Sequence, residues 1–345
     1  MILFIQSYGA PQVMGNDIEM YRAICKYFRS RIKTISVYSE KLRNISAKEV
    51  AKQAYDVVKT SKHGDVLFSW GGDSAIYCWC VSKILFKPRM ILGQNLIVNP
   101  EMFATRIKQR IRGWLYGRAL RSGNFYMTVN SEPLRAFYAK TFRCAEDRFY
   151  VVNDAMVLHE EDVKGMDSRK REQPYVFCGG KEQRDVNCFL RIVARLPNVQ
   201  FKAVFLKSML PADMPELKNL QLFNNTSKDD FFDIMCNATI CCIPLKAQSP
   251  CGLTVMQKAV LMGQPIVSTD TPSMRTIIPD DNYGYLLPRG DDGAMAAKIE
   301  LLLADSALRD KLQMKAKDNM RNFQPEVVAK QLCYAMDDVA GKVGH

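Results

Sequence analysis

Short apolar runs alternate along nearly the whole chain with stretches in which apolar residues recur every three or four positions. The runs MILFIQS, KTISVYS, DVLFSW, PRMILGQN and NFYMTVN read as strands. Between them the periodicity predicts helices from Asp17 to Arg29, from Ala47 to Thr60 behind a Ser46 cap, onward from Asp73, from about Glu101 to Arg121, and from Glu132 to Thr141. The strand candidates are apolar at successive positions instead of alternate ones. That is the pattern of a parallel sheet covered by helices on both faces, so the fold class is α/β and doubly wound.

The rhythm breaks once. After RFYVVND comes HEEDVKGMDSRKREQ, polar and without apolar period, and the alternation then restarts at YVFCGG. The second half is predicted to run through strands VQFKAVFL, LQLFNN, ATICCIPL, QPIVSTD and YGYLLPRG. Its helices are predicted over Asp185–Leu196, Asp229–Cys236, Leu253–Met262, Asp292–Ala304 and Ala307–Arg321. Four segments follow: a first α/β domain over 1–155, a linker over 156–173, a second α/β domain over 174–320, and a terminal helix over 321–345 that can return to the first domain. In open α/β sheets ligands collect at the carboxyl ends of the strands, so the loops there, and a cleft between two such domains, are where chemistry is expected.

Composition narrows the partners. Of 345 residues, 48% are apolar and 24% charged, which excludes disorder and low complexity. No apolar run reaches the roughly 18 residues of a membrane span. The opening MILFIQSYG lacks the flanks of a signal peptide, so a cytoplasmic protein is expected. The 11 cysteines are odd in number and form no CxxC pair, and the 3 histidines are scattered, so free buried thiols are expected and a metal site is not. The formal charge of +12 lies almost wholly in residues 1–153, which points to an anionic partner for that half. Nucleic acid is not expected, because no helix-turn-helix, RNA-recognition or zinc-finger signature accompanies the charge.

Two loops carry candidate chemistry. In YVFCGGKEQRD a buried strand ends in Gly179-Gly180, and Lys181 and Arg184 follow at the entry to a helix capped near Asp185. Backbone donors, a helix N-terminus and two cations can together cradle phosphate, although a Gly-Gly pair is also an ordinary turn. In IPLKAQSPCGLTVMQK the strand feeds Lys246 to Gly252 and then a helix, whose free amides at Cys251, Gly252 and Leu253 would point out of its start. Gln257 lies one turn beyond Leu253 and can look toward the same loop. In the first half, Gly15 and Asn16, Asp73, and Gln94 and Asn95 all follow strands; Asp73 is explained as well by helix capping as by catalysis.

With these motifs in hand, residues 175–310 resemble the donor-binding domain of GT-B fold retaining glycosyltransferases of family 4, the glycosyl transferases group 1. The resemblance rests on GG with Arg184, on NNTSKDDFFDIMCNATICCIPL, on SPCGLTVMQKAVLMGQPIVSTD and on YGYLLPRGD. A weaker likeness covers LYGRALRSGNFYMTVNSEPLRAFYAKTF in the first half. It implies two Rossmann-like domains facing across a cleft, and transfer of a hexose from a UDP- or GDP-sugar to a glycan or lipid-linked acceptor in surface polysaccharide or glycolipid synthesis, without a metal.

The same resemblance implies that Arg184 and Lys246 stabilise the departing diphosphate with the Cys251–Leu253 amides, and that Gly179 and Gly180 let the backbone approach it. Asn225 and Thr226 would lie at the base, Ser249 at the sugar and Gln257 at the ribose. Gly15, Asn16, Asp73, Gln94 and Asn95 would lie on the acceptor side. Members usually carry glutamates where Ser249 and Gln257 stand, and an arginine where Gly180 stands. A catalytically silent GT-B protein that binds carbohydrate or serves as a scaffold is therefore the alternative.

One segment concerns localisation. In TRIKQRIRGWLYGRALRSG, Ile107, Ile111, Trp114 and Leu115 share a helical stripe among Arg106, Lys108, Arg110, Arg112, Arg118 and Arg121. This predicts peripheral contact with an anionic membrane at its inner face, unless the stripe packs on the sheet.

Overall fold

The computed structural model describes residues 2–6, 32–36, 46–70, 72–104, 106–156, 173–181, 183–224 and 226–343. The helix predicted over 17–29 and nearly all of the polar linker lie outside these residues. The chain divides into two compact units: Met1–Ala155 together with Phe323–His345, and Met156–Asn322.

In the first unit, strands β1 (Ile2–Gln6), β2 (Ile32–Ser36), β3 (Val66–Trp70), β4 (Met90–Gly93), β5 (Phe125–Val129) and β6 (Phe149–Val151) form one parallel sheet in the order β2-β1-β3-β4-β5-β6. Helices α1 (Ala47–Thr60), α2 (Gly72–Ile84), α3 (Ile107–Leu120) and α4 (Glu132–Phe142) connect the strands. Helix α1 opens on a capping box in which Ser46 and Glu49 each bond the other's backbone N–H, as its cap predicted.

Period-two alternation sorts the strand side chains between two cores. Leu67, Ile91, Phe125 and Met127 pack with residues of α1 to α4. Val66, Phe68, Trp70, Leu92 and Tyr126 pack instead against Val328, Leu332, Met336 and Val339 of the terminal helix, Pro325–Gly341. Strands β3 to β5 are thus buried on both faces, which is why they read as unbroken apolar runs. The terminal helix is held by polar contacts as well. Asn153 N donates to Gln331 Oε1 at 2.9 Å, and Lys342 Nζ reaches Asp338 Oδ2 at 2.8 Å and the Tyr150 hydroxyl at 2.8 Å. The Tyr150 hydroxyl also donates to Asp338, and burial followed by that carboxylate pushes the phenol up to about 12.

The long basic helix predicted over Glu101–Arg121 is interrupted. A short 3-10 turn, Pro100–Phe103, is capped by Asn99, whose side chain accepts from Glu101 N, and α3 begins only after Arg106, which is extended (φ −131°, ψ 120°). The break lets Phe103 fold back onto Gly113, where an added Cβ would lie 2.8 Å from the ring. In one straight helix these residues would be about 15 Å apart.

In the second unit, β7 (Tyr175–Gly179), β8 (Gln200–Phe205), β9 (Leu220–Asn224), β10 (Ile240–Ile243), β11 (Ile266–Thr269) and β12 (Tyr285–Leu287) form a second parallel sheet, ordered β12-β11-β10-β7-β8-β9. Helices α5 (Val186–Arg195), α6 (Lys228–Cys236), α7 (Leu253–Leu261), α8 (Asp292–Ala304) and α9 (Ser306–Asn319) complete the unit, and the terminal helix of the first unit is α10. Cys178, Cys188 and Cys242 sit in its core as free thiols.

An ion-pair cluster fastens α8 to α5. Asp292, with a 10% exposed side chain, accepts from Arg191 Nε at 2.7 Å and from Arg195 Nε at 2.5 Å. Those two hydrogen bonds hold its carboxyl below the usual range. The stabilisation is therefore present above the ordinary carboxylate pKa and is lost as pH falls through the lowered value. Asp292→Asn is expected to cost about 1–2 kcal/mol at neutral pH, since both arginines are half exposed. In chemical denaturation, the gap between variant and parent should close as the pH is taken below 3.8.

Candidate functional site

Strand order in the second sheet reverses between β7 and β10, because the chain steps from β7 outward to β9 and then returns to the other side of β7. Loops leaving two such strands diverge and leave a crevice at their carboxyl ends. Here those loops are 179–185 and 244–252, the two singled out from sequence, and their backbones are joined. Arg184 and Leu245 form an isolated antiparallel bridge, Asp185 N donates to Pro244 O at 2.9 Å, and Lys246 N donates to Gln183 O at 2.9 Å. Asp185 also caps α5, accepting from Cys188 N at 3.0 Å. Leu245 N donates to Thr269 Oγ1 at 2.8 Å, which adds the end of β11 to the same edge.

Arg184 is central to this junction and only 3% exposed. Its Nε donates to Gly179 O at 2.7 Å. Its terminal nitrogens lie in the space that side chains on two glycines would take. A Cβ on Gly180 would fall 2.5 Å from one, and a Cβ on Gly252 would fall 3.1 Å from the other. Both glycines have left-handed backbone, φ +127° and +84°, so both the conformation and the space exclude other residues. An arginine at 180, usual in the resembling family, would meet the guanidinium of Arg184.

Gly252 is also the N-cap of α7 and supplies no side-chain cap, so Arg184 points at the positive end of a helix dipole. Neighbouring thiols give no compensating charge. Burial pushes Cys241 up to about 12, and it raises Cys178 further, against the opposing pull of Arg184. A buried guanidinium and a helix N-terminus converging on one place form a site suited to an anion.

The other predicted donor residues are distributed as follows. Lys246 is exposed on the second loop, Thr226 is half-buried after β9, Leu253 is buried, and Cys251 is half-buried. Ser249 and Gln257 are each 3% exposed, and Ser249 Oγ lies 3.2 Å from Cys251 Sγ. Asn225 lies outside the described residues. Arg289 escaped sequence reasoning; its Nη1 donates to Lys246 O at 2.9 Å, which brings a second exposed cation to that loop. The signal was available, since Arg289 follows β12 as Lys246 follows β10.

In the first unit, Gly15 and Asn16 lie outside the described residues. The Asp73 carboxylate pairs with Arg112, Nη2 to Oδ1 at 2.7 Å, and accepts from the buried Tyr116 hydroxyl at 3.2 Å. Burial, then the Asp73 charge, holds the Tyr116 phenol well above its ordinary value, so it remains a donor. Asn95 has left-handed backbone (φ 55°) and joins a cluster at the ends of three neighbouring strands. Its Nδ2 donates to Asp154 Oδ1 at 2.9 Å, and Asn130 Nδ2 donates to Asp154 Oδ2 at 2.9 Å. Burial raises the Asp154 carboxyl against both amides. Beside the cluster, the buried Gln94 Oε1 and Asn95 Oδ1 accept no hydrogen bond. Asn130 and Asp154 were not singled out from sequence, although each follows a strand. Among the described residues no group of His, Cys, Asp and Glu could hold a metal ion.

Residues 175–305 match the family model for glycosyl transferases group 1. Over 106 residues the chain is 29% identical to a phosphatidyl-myo-inositol mannosyltransferase of Mycobacterium leprae, covering 31% of this chain and 28% of the relative. A namesake from Mycolicibacterium smegmatis is 24% identical over 159 residues, 44% of this chain and 40% of the relative. The chain therefore spans less than half the length of these curated relatives. Over whole chains it shares its fold with the Anabaena protein HepE, solved in complex with UDP (TM-score 0.68, 15% identity, 98% of this chain and 99% of that one). It shares it also with sucrose-phosphate synthase of Thermosynechococcus elongatus (TM-score 0.71, 15% identity, 99% of each chain).

Proposed function

We propose that the chain, which has a GT-B fold and whose residues 175–305 match the family model for glycosyl transferases group 1, moves a hexose from a nucleotide-diphosphate sugar to a glycan or lipid-linked acceptor with retention of configuration. The observation that carries this reading is the convergence of the buried Arg184 guanidinium and the α7 N-terminus at the switch point of the second sheet. HepE, solved with UDP, supports a nucleotide as the anion, and the relatives named for phosphatidyl-myo-inositol support a lipid-linked acceptor and a mannosyl or similar donor.

In this reading the bond between the anomeric carbon and the β-phosphate oxygen breaks. The acceptor hydroxyl attacks from the face the diphosphate leaves, and the diphosphate takes its proton. No side chain need act as a nucleophile. What the protein supplies is charge stabilisation of the leaving group and positioning. Arg184, Lys246 and the Cys251–Leu253 amides face the diphosphate, with Gly179 and Gly180 allowing close approach. Asn225 and Thr226 border the base, Ser249 a sugar hydroxyl and Gln257 the ribose. Gln94 and Asn95, whose buried side-chain oxygens accept no hydrogen bond, are assigned with Gly15, Asn16 and Asp73 to the acceptor side. Surface polysaccharide or glycolipid synthesis at the inner membrane face would be the setting.

Titration with UDP and GDP, followed by hydrolysis assays on a panel of nucleotide sugars, tests the reading. Binding of one nucleotide with slow release of nucleoside diphosphate is the expected result, and failure to bind either nucleotide would remove it. One observation favours a second reading: Ser249 and Gln257, both buried and neutral, stand where members of the family usually carry glutamates. A silent carbohydrate-binding or scaffold protein would bind nucleotide sugar but neither hydrolyse nor transfer it. Gln257→Ala separates the base-and-ribose end of the site from its phosphate end. It is expected to weaken uridine and UDP equally, by about fivefold to tenfold for one neutral hydrogen bond.

A further inference from the structure

Helix α3 has two unlike faces. Gly113, Tyr116, Gly117, Ala119 and Leu120 are buried, whereas Ile107, Ile111 and Trp114 are 77%, 54% and 59% exposed. At about 3.6 residues per turn, positions 107, 111, 114 and 118 fall on one stripe opposite the buried face. Of the residues expected on that stripe, only Leu115 packs toward the sheet. The helix contains no acidic residue, and Arg106, Lys108, Arg110, Arg118 and Arg121 are exposed on it and at its ends. The Arg118 guanidinium lies 5.4 Å over the Trp114 ring.

A basic pocket continues this surface. Trp79, Lys83, Arg118, Arg121 and Ser122 line a cavity of about 310 Å³ at the carboxyl end of α3. Trp79 Nε1 donates to Ser122 Oγ at 2.9 Å, which fixes the indole, and the Lys83 ammonium sits 5.7 Å over its ring. Three cations and no carboxylate line this cavity.

We infer that this face of the first unit docks on an anionic lipid bilayer, with Ile107, Ile111 and Trp114 at headgroup depth and the Lys83–Arg118–Arg121 pocket on a lipid phosphate. Charge complementarity selects the occupant. A partner protein helix would need an acidic flank against every cation of α3, and nucleic acid would leave the isoleucines in water. A bilayer with anionic headgroups satisfies both the stripe and its border. The inference stands on α3 and α2 alone and does not require the transfer reaction.

Partition onto vesicles tests it. The protein is mixed with vesicles of phosphatidylcholine containing phosphatidylglycerol, or of phosphatidylcholine alone, at low and high salt. Sedimentation should show binding to the anionic vesicles that falls with salt. Trp70 and Trp79 are each 8% exposed, so the emission should shift to the blue through Trp114, and Trp114→Phe should abolish the shift. Lys83→Ala with Arg118→Ala should lower the partition coefficient about thirtyfold, which is ~1 kcal/mol for each cation. Affinity for UDP and thermal stability should stay as in the parent. Equal binding to neutral vesicles, indifference to the paired substitution, or a spectrum that does not move would overturn the inference. So would a concentration-dependent dimer abolished by Trp114→Phe, which would assign the stripe to a second copy of the chain.

Discussion

Arg184→Ala is expected to weaken UDP binding by about tenfold to a hundredfold while leaving uridine within about twofold. A charge-assisted hydrogen bond to phosphate is worth ~1.5–3 kcal/mol, and here the charge is buried where water competes poorly. Calorimetric titration with both ligands measures the difference directly. The side chain also has a structural duty, since its Nε holds Gly179 O and its guanidinium fills the space over Gly180 and Gly252. Thermal unfolding of the same variant separates that contribution. Equal losses for UDP and uridine would take Arg184 away from the phosphate and leave it as the bolt between two loops.

Gly180→Ala is the second change with a large expected effect. A Cβ there meets the Arg184 guanidinium at 2.5 Å, and φ of +127° lies in a region that only glycine enters without strain. The strain costs ~1–3 kcal/mol of stability. The guanidinium must also leave its place, so UDP affinity should fall nearly as far as in Arg184→Ala. Because both changes act through one group, their effects on binding should not add in the double variant. Additive losses would show that Gly180 contributes through its own backbone.

The legible parts of the chain were those governed by local chemistry. Apolar runs such as DVLFSW and ATICCIPL marked the strands, the Ser46 and Asp185 caps marked helix starts, and the strand-end rule led to the loops at 179–185 and 244–252. Sequence reasoning failed where an outcome depended on contacts distant along the chain. Nothing local says that Phe103 will return to cover Gly113 and split a basic helix, or that two glycines 72 positions apart, Gly180 and Gly252, will leave room for one guanidinium. The stripe of α3 shows the same limit. Its period predicted a face but not which side the sheet would take, and that choice fell to Gly113, Gly117 and Ala119, whose small side chains allow close packing.

The terminal helix has a consequence for biosynthesis. Its Val328, Leu332, Met336 and Val339 complete a core whose other half is contributed by strands near residues 66–70, 92 and 126. On the ribosome, the amino-terminal sheet emerges long before its cover does, and at ~5–20 residues per second the interval lasts about ten to fifty seconds. Throughout that time Phe68, Trp70 and Leu92 lack the cover of Val328, Leu332, Met336 and Val339. The second unit has no such dependence, since its strands and helices emerge consecutively. A released chain truncated after Asn322 keeps the whole second unit but should expose an apolar sheet face in the first, bind hydrophobic dyes, and recruit chaperones to its amino-terminal half.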